Sequence, residues 1–343
     1  MAQVLVTGIS GFIAKHVALQ LLRAGHDVVG TVRDASKAGP VKDTLVRHGA
    51  DHNKIRFVEA DLTGDDGWAD AVAGCDYIQH LASPFPLAQP EDREALVPEA
   101  RDGMLRVVKA GLDAGAKRIV VTSSLAAVMY HPKFKGEFEA GPEAWSDPEW
   151  KALSPYIISK TRAEQALWAL LDERGERDRA TVINPGLVLG PSLDERIGTS
   201  LSVVEMLLKG AYPASPPLRF PTVDVRDLAA LHVAAMDSPN TGGQRLLAAA
   251  DTVSMQEMAL ILADAFPAFA KKIPTKELPA WVVRLMAIFD KNLKSITADL
   301  GRKRIAKTAY VTEKTGIAFR PAKEAIEAAA ESLIEYGVVK PPR

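Results

Sequence analysis

Tyr156 and Lys160 have the spacing in this sequence that most directly indicates chemistry. They lie four residues apart in the stretch SPYIISK, within a segment of helical composition. Because residues i and i+4 share one face of a helix, we expect the ammonium of Lys160 to lie close to the phenol of Tyr156. A free tyrosine, with a pKa of about 10, exchanges protons slowly near neutral pH. A cation roughly 5 Å away, at an effective dielectric near 20, would lower that pKa by about two units and make Tyr156 a useful general acid–base.

Two serines end the apolar run RIVVTSS, at positions 123 and 124. Ligands of parallel α/β sheets bind outside the carboxyl ends of the strands. We therefore expect a hydroxyl here to hydrogen-bond a substrate carbonyl oxygen together with Tyr156. In the alternative interpretation, Ser123 and Ser124 are ordinary turn residues at a strand end.

The stretch VTGISGFIA places Gly8, Gly11 and Ala14 at intervals of three after an apolar run and before a helix-like segment. Such a turn lets the backbone N–H groups at a helix start face a pyrophosphate, whose charge the helix dipole favours. This context indicates a dinucleotide-binding turn. The alternative is a tight turn without a ligand.

The end of the second strand, GTVRD, bears on the choice of dinucleotide. An acidic residue here would bind the ribose 2′-hydroxyl of NAD, whereas an arginine accommodates the 2′-phosphate of NADP. Arg33 occupies this position and Lys37 follows four residues later, so the sequence favours NADP. Asp34 keeps NAD as an alternative. At the end of the third strand, Asp61 and Leu62 are expected beside the adenine.

Strand-like and helix-like segments alternate through the first half of the chain. The helical stretches are 12–24, 92–114 and 155–174, and the β-rich runs are 3–7, 26–33, 54–61, 77–83, 118–124 and 180–186. Several runs are almost continuously apolar, as in parallel strands that are buried on both faces. The pattern predicts an α/β fold, a Rossmann-type doubly wound parallel sheet with a smaller, mostly helical C-terminal substrate lobe. We predict a dinucleotide-binding domain over 1–186 that also includes about 223–240, and a substrate-binding lobe from 187–222 and 241–343.

The composition is that of an average soluble globular protein. The chain has 343 residues, 47% apolar and 25% charged, with a formal net charge of -1. We therefore expect no nucleic-acid partner and no membrane, and a cytoplasmic location. The single cysteine, Cys75, excludes an internal disulfide, and the seven histidines show no metal-ligand spacing, so no metal is predicted.

The chain resembles the extended short-chain dehydrogenase/reductase family, particularly its dihydroflavonol 4-reductase-like aldehyde and ketone reductases. The resemblance rests on six stretches in order: TGISGFIA, TVRD, HLASPF, VVTSS, YIISK and INPGLVLGP. It implies hydride transfer between NADPH and an aldehyde or ketone. Ser124 would orient the carbonyl, Tyr156 would donate the proton, and Lys160 would bind the nicotinamide ribose and lower the tyrosine pKa.

The resemblance also implies the residues that bind the small molecules. The cofactor NADP would contact Gly8, Gly11, Phe12, Ile13, Arg33, Lys37, Asp61, Leu62, Ala82, Tyr156, Lys160, Pro185 and Val188. The carbonyl substrate would contact Ser83, Phe85, Met129 and Tyr130.

The long segment 131–155 is expected to be irregular, with Trp145 and Trp150 either covering an apolar substrate or packing beneath the loop. The stretch SPYIISK lacks the Asn-Trp-Tyr-Cys pattern common in cinnamoyl-CoA reductases, which argues against that branch. His80, inside an apolar strand, is expected to be a core residue.

Two other functions share the same core motifs. One is an NAD-dependent nucleotide-sugar epimerase, which Arg33 disfavours. A dehydratase would have an acidic pair where this chain has Leu125 and Ala126. The other is a non-catalytic NADP-binding redox sensor, which the Tyr156–Lys160 pair disfavours. The sequence indicates neither the natural substrate nor the oligomeric state.

Overall fold

The computed structural model describes residues 1–83, 90–287 and 296–341. Its strands are β1 (Gln3–Thr7), β2 (Asp27–Val32), β3 (Ile55–Glu59), β4 (Tyr77–His80), β5 (Arg118–Thr122), β6 (Glu137–Ala140), β7 (Ala180–Pro185), β8 (Leu187–Leu189), β9 (Arg219–Asp224), β10 (Arg245–Ala248), β11 (Asp251–Ser254) and β12 (Lys303–Ala306). Its helices are α1 (Phe12–Arg23), α2 (Ala38–Arg47), α3 (Trp68–Val72), α4 (Val97–Asp113), α5 (Pro155–Arg174), α6 (Ser202–Lys209), α7 (Val225–Asp237), α8 (Met255–Ala265), α9 (Ala280–Met286), α10 (Ala309–Thr315) and α11 (Ala322–Glu335).

Seven strands form one parallel sheet in the order β10-β7-β5-β4-β1-β2-β3. Alternate residues of β1 enter different cores: Val4 and Val6 pack in the core that includes α1 and α7, and Leu5 packs in the core that includes α4 and α5. Because successive side chains of a strand point to opposite faces, helices cover both faces of the sheet. The predicted Rossmann-type α/β fold is confirmed.

The strand order reverses between β1 and β4, which are neighbours in the sheet. The crossovers from β1 run towards β2 and β3 on one side, and those from β4 run towards β5 and β7 on the other. A crevice therefore opens at the carboxyl ends of β1 and β4, the usual ligand position in such sheets. The turn after β1 and the residues after β4 border it.

Local signals set the ends of several helices as predicted. α5 begins after Ser154, whose hydroxyl accepts a hydrogen bond from the Ile157 N–H, and ends at Gly175 with φ 64°. α8 has a capping box, in which Ser254 and Glu257 bond to each other's backbone N–H groups.

The C-terminal half contains strands that the sequence did not indicate. β11, β9 and β8 form a three-stranded sheet, and β12 pairs with β6 in a two-stranded one. β6 lies within 131–155, so the prediction that this segment is irregular is wrong over Glu137–Ala140. The reason is that its partner strand lies about 160 residues away in sequence. The chain returns to the large sheet through α7 and β10. The predicted domain division itself stays a prediction.

Helix α9 is half-buried, with Val283 1% exposed and Trp281 67% exposed. Within the described ranges, no helix is both long enough and apolar enough to cross a bilayer.

Candidate active site

The turn after β1 is shaped by two glycines. Gly8 has φ +62°, and a Cβ there would lie 3.1 Å from the Cα and Cβ of Ala82. Gly11 donates its N–H to the Gly8 carbonyl at 2.9 Å and caps α1, where no side chain accepts a hydrogen bond from the first turn. The uncapped N–H groups of α1 are therefore free of a side-chain acceptor and suit an anion.

A cleft of about 450 Å³ begins at this turn. It is lined by many of the predicted cofactor and substrate residues: Gly8, Gly11, Arg33, Lys37, Asp61, Leu62, Ala82 and Ser83. The lining also includes residues that the sequence analysis missed: Ser10, Thr31, Val32, Ala60, Trp68, Leu81, Leu96 and Glu99. Four of these residues had a usable signal, because they lie within the stretches TGISGFIA, TVRD and HLASPF: Ser10, Thr31, Val32 and Leu81.

The two cations and the acid at the end of β2 are placed differently. Arg33 and Lys37 line the cleft. Asp34 accepts the Ser36 N–H at 2.9 Å and so caps the short 3-10 helix Ala35–Lys37. Hydrogen bonds from the side chain and the backbone of Ser36 lower the pKa of Asp34, so its carboxylate stays ionised. Asp34, the residue that would bind the ribose 2′-hydroxyl of NAD, is thus engaged in a local turn.

The far end of the cleft is bounded by residues after β3. Asp61 holds a tight turn by accepting the N–H and the hydroxyl of Thr63 at 2.8 and 2.7 Å. The indole N–H of Trp68 donates to the Asp61 carbonyl at 3.0 Å. Leu62 packs against Gly103 of α4, where a Cβ would lie only 2.8 Å from the leucine Cβ.

Ser124, Tyr156 and Lys160 come together above the carboxyl ends of β4 and β5. The Ser124 hydroxyl lies close enough to the phenol of Tyr156 to act on its pKa. Lys160 donates from Nζ to Ser83 Oγ at 2.9 Å, and Nζ lies 5.9 Å from the centre of the Tyr156 ring. Since Ser83 also lines the cleft, the three predicted catalytic residues adjoin the predicted cofactor residues.

The expected lowering of the Tyr156 pKa by Lys160 is wrong for this structure. Burial raises the pKa of Tyr156 above its ordinary 10, and the Ser124 hydroxyl opposes the rise only in part. Burial also lowers the pKa of Lys160 to about 8, against the opposing charge of Glu164. The physical reason is that the helix spacing gives proximity, whereas desolvation, set by the tertiary structure, dominates both groups.

The chain is similar to proteins of a known family. The family model described as "NAD dependent epimerase/dehydratase family" matches residues 4–248, well over half of the chain. The chain belongs to this family. The predicted membership of the extended short-chain dehydrogenase/reductases is therefore confirmed.

Curated members of the epimerase/dehydratase family include plant reductases. Cinnamoyl-CoA reductase 1 of Arabidopsis thaliana is 36% identical over 277 residues, which span 80% of this chain and 77% of that protein. Dihydroflavonol 4-reductase of Zea mays is 29% identical over 273 residues, 78% of this chain and 75% of that protein. The absence of the Asn-Trp-Tyr-Cys pattern before Lys160 therefore does not separate this chain from the cinnamoyl-CoA reductases, contrary to the expectation from the sequence.

Among solved structures of family members, yeast methylglyoxal/isovaleraldehyde reductase complexed with NADPH superposes with a TM-score of 0.80. It is 24% identical and the match covers 98% of this chain and 99% of that one. At this identity the likeness concerns the fold.

Six predicted cofactor residues do not line the cleft in the described structure: Tyr156 and Lys160, described above, and Phe12, Ile13, Pro185 and Val188. Phe12 begins α1 and packs edge-on against His16. Ile13 follows it in α1 and packs against the adjoining core. Pro185 ends β7, and Val188, 5% exposed, lies in β8. Their cofactor contacts stay predictions.

The predicted substrate residues are divided. Ser83 lines the cleft, and Phe85 lies outside the described residues. Met129 is 1% exposed and packs in a core, so the structure does not place it on the cleft. Tyr130 is half-buried, with the guanidinium of Arg304 4.1 Å from its ring centre.

The tryptophans of the segment 131–155 both pack against arginines. The Arg245 guanidinium lies 3.9 Å from the Trp145 ring centre, and that of Arg302 lies 4.6 Å from Trp150. Trp145 thus packs beneath the loop. His80 is buried and hydrogen-bonds the Thr7 hydroxyl at 2.9 Å, as expected of a core residue.

Proposed function

We propose that this chain is an NADPH-dependent carbonyl reductase that reduces an aldehyde or ketone to an alcohol. The observation that carries the proposal is the side-chain pair of Ser124 and Tyr156. It lies beside the Lys160–Ser83 contact, and Ser83 lines the same cleft as Arg33 and Lys37.

The oxidoreductase class and the NADP cofactor agree with the relatives. Two plant relatives are named reductases, and the yeast enzyme is complexed with NADPH. The residues of this chain fit the same cofactor. Gly8 and Gly11 line the cleft at the turn, α1 offers uncapped N–H groups, and Arg33 and Lys37 supply positive charge for a 2′-phosphate.

Each catalytic side chain has a distinct task in this proposal. NADPH, when bound, supplies the hydride. Tyr156 gives its proton to the carbonyl oxygen while the Ser124 hydroxyl orients that oxygen, and solvent returns the proton to Tyr156. Because burial raises the pKa of Tyr156, the phenol is fully protonated at neutral pH, which is the form needed for reduction. Lys160 would hold the cofactor ribose.

A screen of NADPH oxidation tests the proposal. The panel contains aldehydes, diketones, ketoesters, flavonoid-type ketones and cinnamoyl-CoA, with NADH in parallel. We expect NADPH-dependent reduction of at least one carbonyl compound, and its loss in Tyr156→Phe. A protein that binds NADPH and reduces no compound would instead support the redox sensor. Tightly retained NAD in the purified protein would support the epimerase.

A further inference from the structure

Glu164 is a buried carboxylate that the proposed reaction does not use. It lies on α5, one turn after Lys160, and is 0% exposed. Its Oε2 accepts hydrogen bonds from Ser123 Oγ at 2.5 Å and Asn184 Nδ2 at 2.7 Å. Its Oε1 accepts from Arg245 Nε at 2.6 Å. Both oxygens are therefore occupied by donors from three other elements of the fold.

Arg245 fixes the other end of this ion pair. It lies on β10, and its Nη1 donates to the carbonyls of Pro142 and Ala144 at 2.8 and 2.6 Å. Its guanidinium also stacks on Trp145. The pair thus connects α5 to the edge strand of the large sheet and to the segment that follows β6.

The same network reaches the strand end that carries Ser124. Asn184 Nδ2, which donates to Glu164, also donates to the Ser124 carbonyl at 3.1 Å. Ser123, whose hydroxyl also donates to Glu164, is the residue before Ser124. The Glu164 carboxylate therefore contacts the residue before Ser124 directly and the Ser124 carbonyl through Asn184.

We propose that Glu164, ion-paired with Arg245, is a positioning residue. It fixes the turn that presents the Ser124 hydroxyl to Tyr156, and its charge keeps the ammonium of Lys160 in its working form. This inference rests on the proposed reductase function, because it assigns a task within the same site.

A purely structural role would not need these charges. Buried ion pairs recover little more than their desolvation cost, and apolar side chains of similar size stabilise a fold as well or better. Breaking such a pair by removing one partner is strongly destabilising, because the other charge is left buried alone. Removing both charges together therefore separates the positioning role from fold stability.

The charge of Glu164 bears on Lys160 in particular. The groups facing Lys160 in the described structure are Tyr156 and Glu164 on its own helix, and His80 and Ser83 from β4 and the residues after it. Burial lowers the pKa of His80 to about 3, so His80 is uncharged near neutral pH. Glu164 is the one charge among these groups that opposes the desolvation of the ammonium.

The decisive variant is the double substitution Glu164→Gln with Arg245→Met. Glutamine keeps an acceptor for Ser123 and Asn184, and neither substitution leaves a buried charge unpaired. We measure the titration of Lys160 by NMR of ¹³Cε-labelled lysine in the protein without cofactor, assigned with Lys160→Met. We expect the titration midpoint to fall by less than about one pH unit, because the variant removes the negative charge of Glu164, one helical turn from Lys160, together with the positive charge of Arg245 on β10. In the reductase assay, the alkaline limb of the kcat profile should move to lower pH by the same interval. A folded double variant with the wild-type midpoint and profile would overturn the electrostatic part.

Asn184→Ala tests the positioning part and needs no change of charge. We expect kcat to fall about tenfold, as for one lost hydrogen bond to a working group, while the Lys160 midpoint and the NADPH dissociation constant stay unchanged. Unchanged kcat would overturn the proposed link to Ser124. The matched control is Asp227→Asn, which breaks a half-buried pair with Arg320 (2.8 Å) and should lower thermal stability without moving the Lys160 midpoint. If the wild-type protein reduces no carbonyl compound, the proposed function fails, whereas the NMR titration still decides the role of Glu164.

Discussion

Replacing Arg33 by alanine should change the cofactor preference. The Arg33 side chain is exposed at the end of β2, lines the cleft with Lys37, and has no hydrogen bond to Asp34, whose carboxylate is held by the Ser36 N–H. The guanidinium can therefore hold a 2′-phosphate in paired hydrogen bonds. NADH has a hydroxyl at this position and offers no such partner.

The magnitude follows from the exposure of Arg33. A hydrogen bond to a charged group contributes roughly 1.5 to 3 kcal/mol, and exposure favours the lower end of that range. A loss of about 1.5 kcal/mol corresponds to roughly tenfold weaker NADPH binding. NADH binding should change by less than about twofold. Lys37→Ala should act similarly, and the two losses should not add, because both cations share one phosphate.

Fluorescence titrations of NADPH and NADH measure both dissociation constants in each variant. Arg56→Ala is the matched control, since Arg56 is an exposed arginine on the adjacent strand β3 and does not line the cleft. Equal weakening of NADPH and NADH by Arg33→Ala would refute the reasoning. So would unchanged NADPH binding.

Three further outcomes are expected. Tyr156→Phe should lower the reduction rate by at least about 100-fold and leave the NADPH dissociation constant nearly unchanged, as measured by steady-state kinetics and titration; parallel loss of both would contradict the division of roles. The pKa of Lys160 is about 8, so kcat should fall as the pH rises through that value. The unfolded chain binds the Lys160 proton more tightly than the folded protein, so the free energy of unfolding should rise as the pH rises from about 8 to 10.5. A free energy of unfolding that falls in this window would argue against the lowered pKa. Gly8→Ala should lower both thermal stability and NADPH affinity, since it strains a residue with φ +62° against Ala82, whereas Gly39→Ala, with nothing within 4 Å, should do neither.

Much of the fold was predictable because its signals are local. The apolar runs marked the parallel strands, and the stretch 155–174 coincides with α5. The glycines of the first turn indicated its structure through backbone geometry alone. By contrast, β6 was missed, because a four-residue strand is stabilised by a partner that lies far away in the sequence.

The sequence by itself determined which residues share a face or follow a strand. It therefore predicted that Tyr156 and Lys160 lie together and that Ser124 ends a strand, since these relations depend on helix and strand periods. The tertiary structure decided what surrounds them. In the folded protein Lys160 donates a hydrogen bond to Ser83, burial raises the pKa of Tyr156, and Glu164 forms an ion pair with Arg245. Such features depend on burial and on residues brought together from distant parts of the chain, and no short sequence pattern records either.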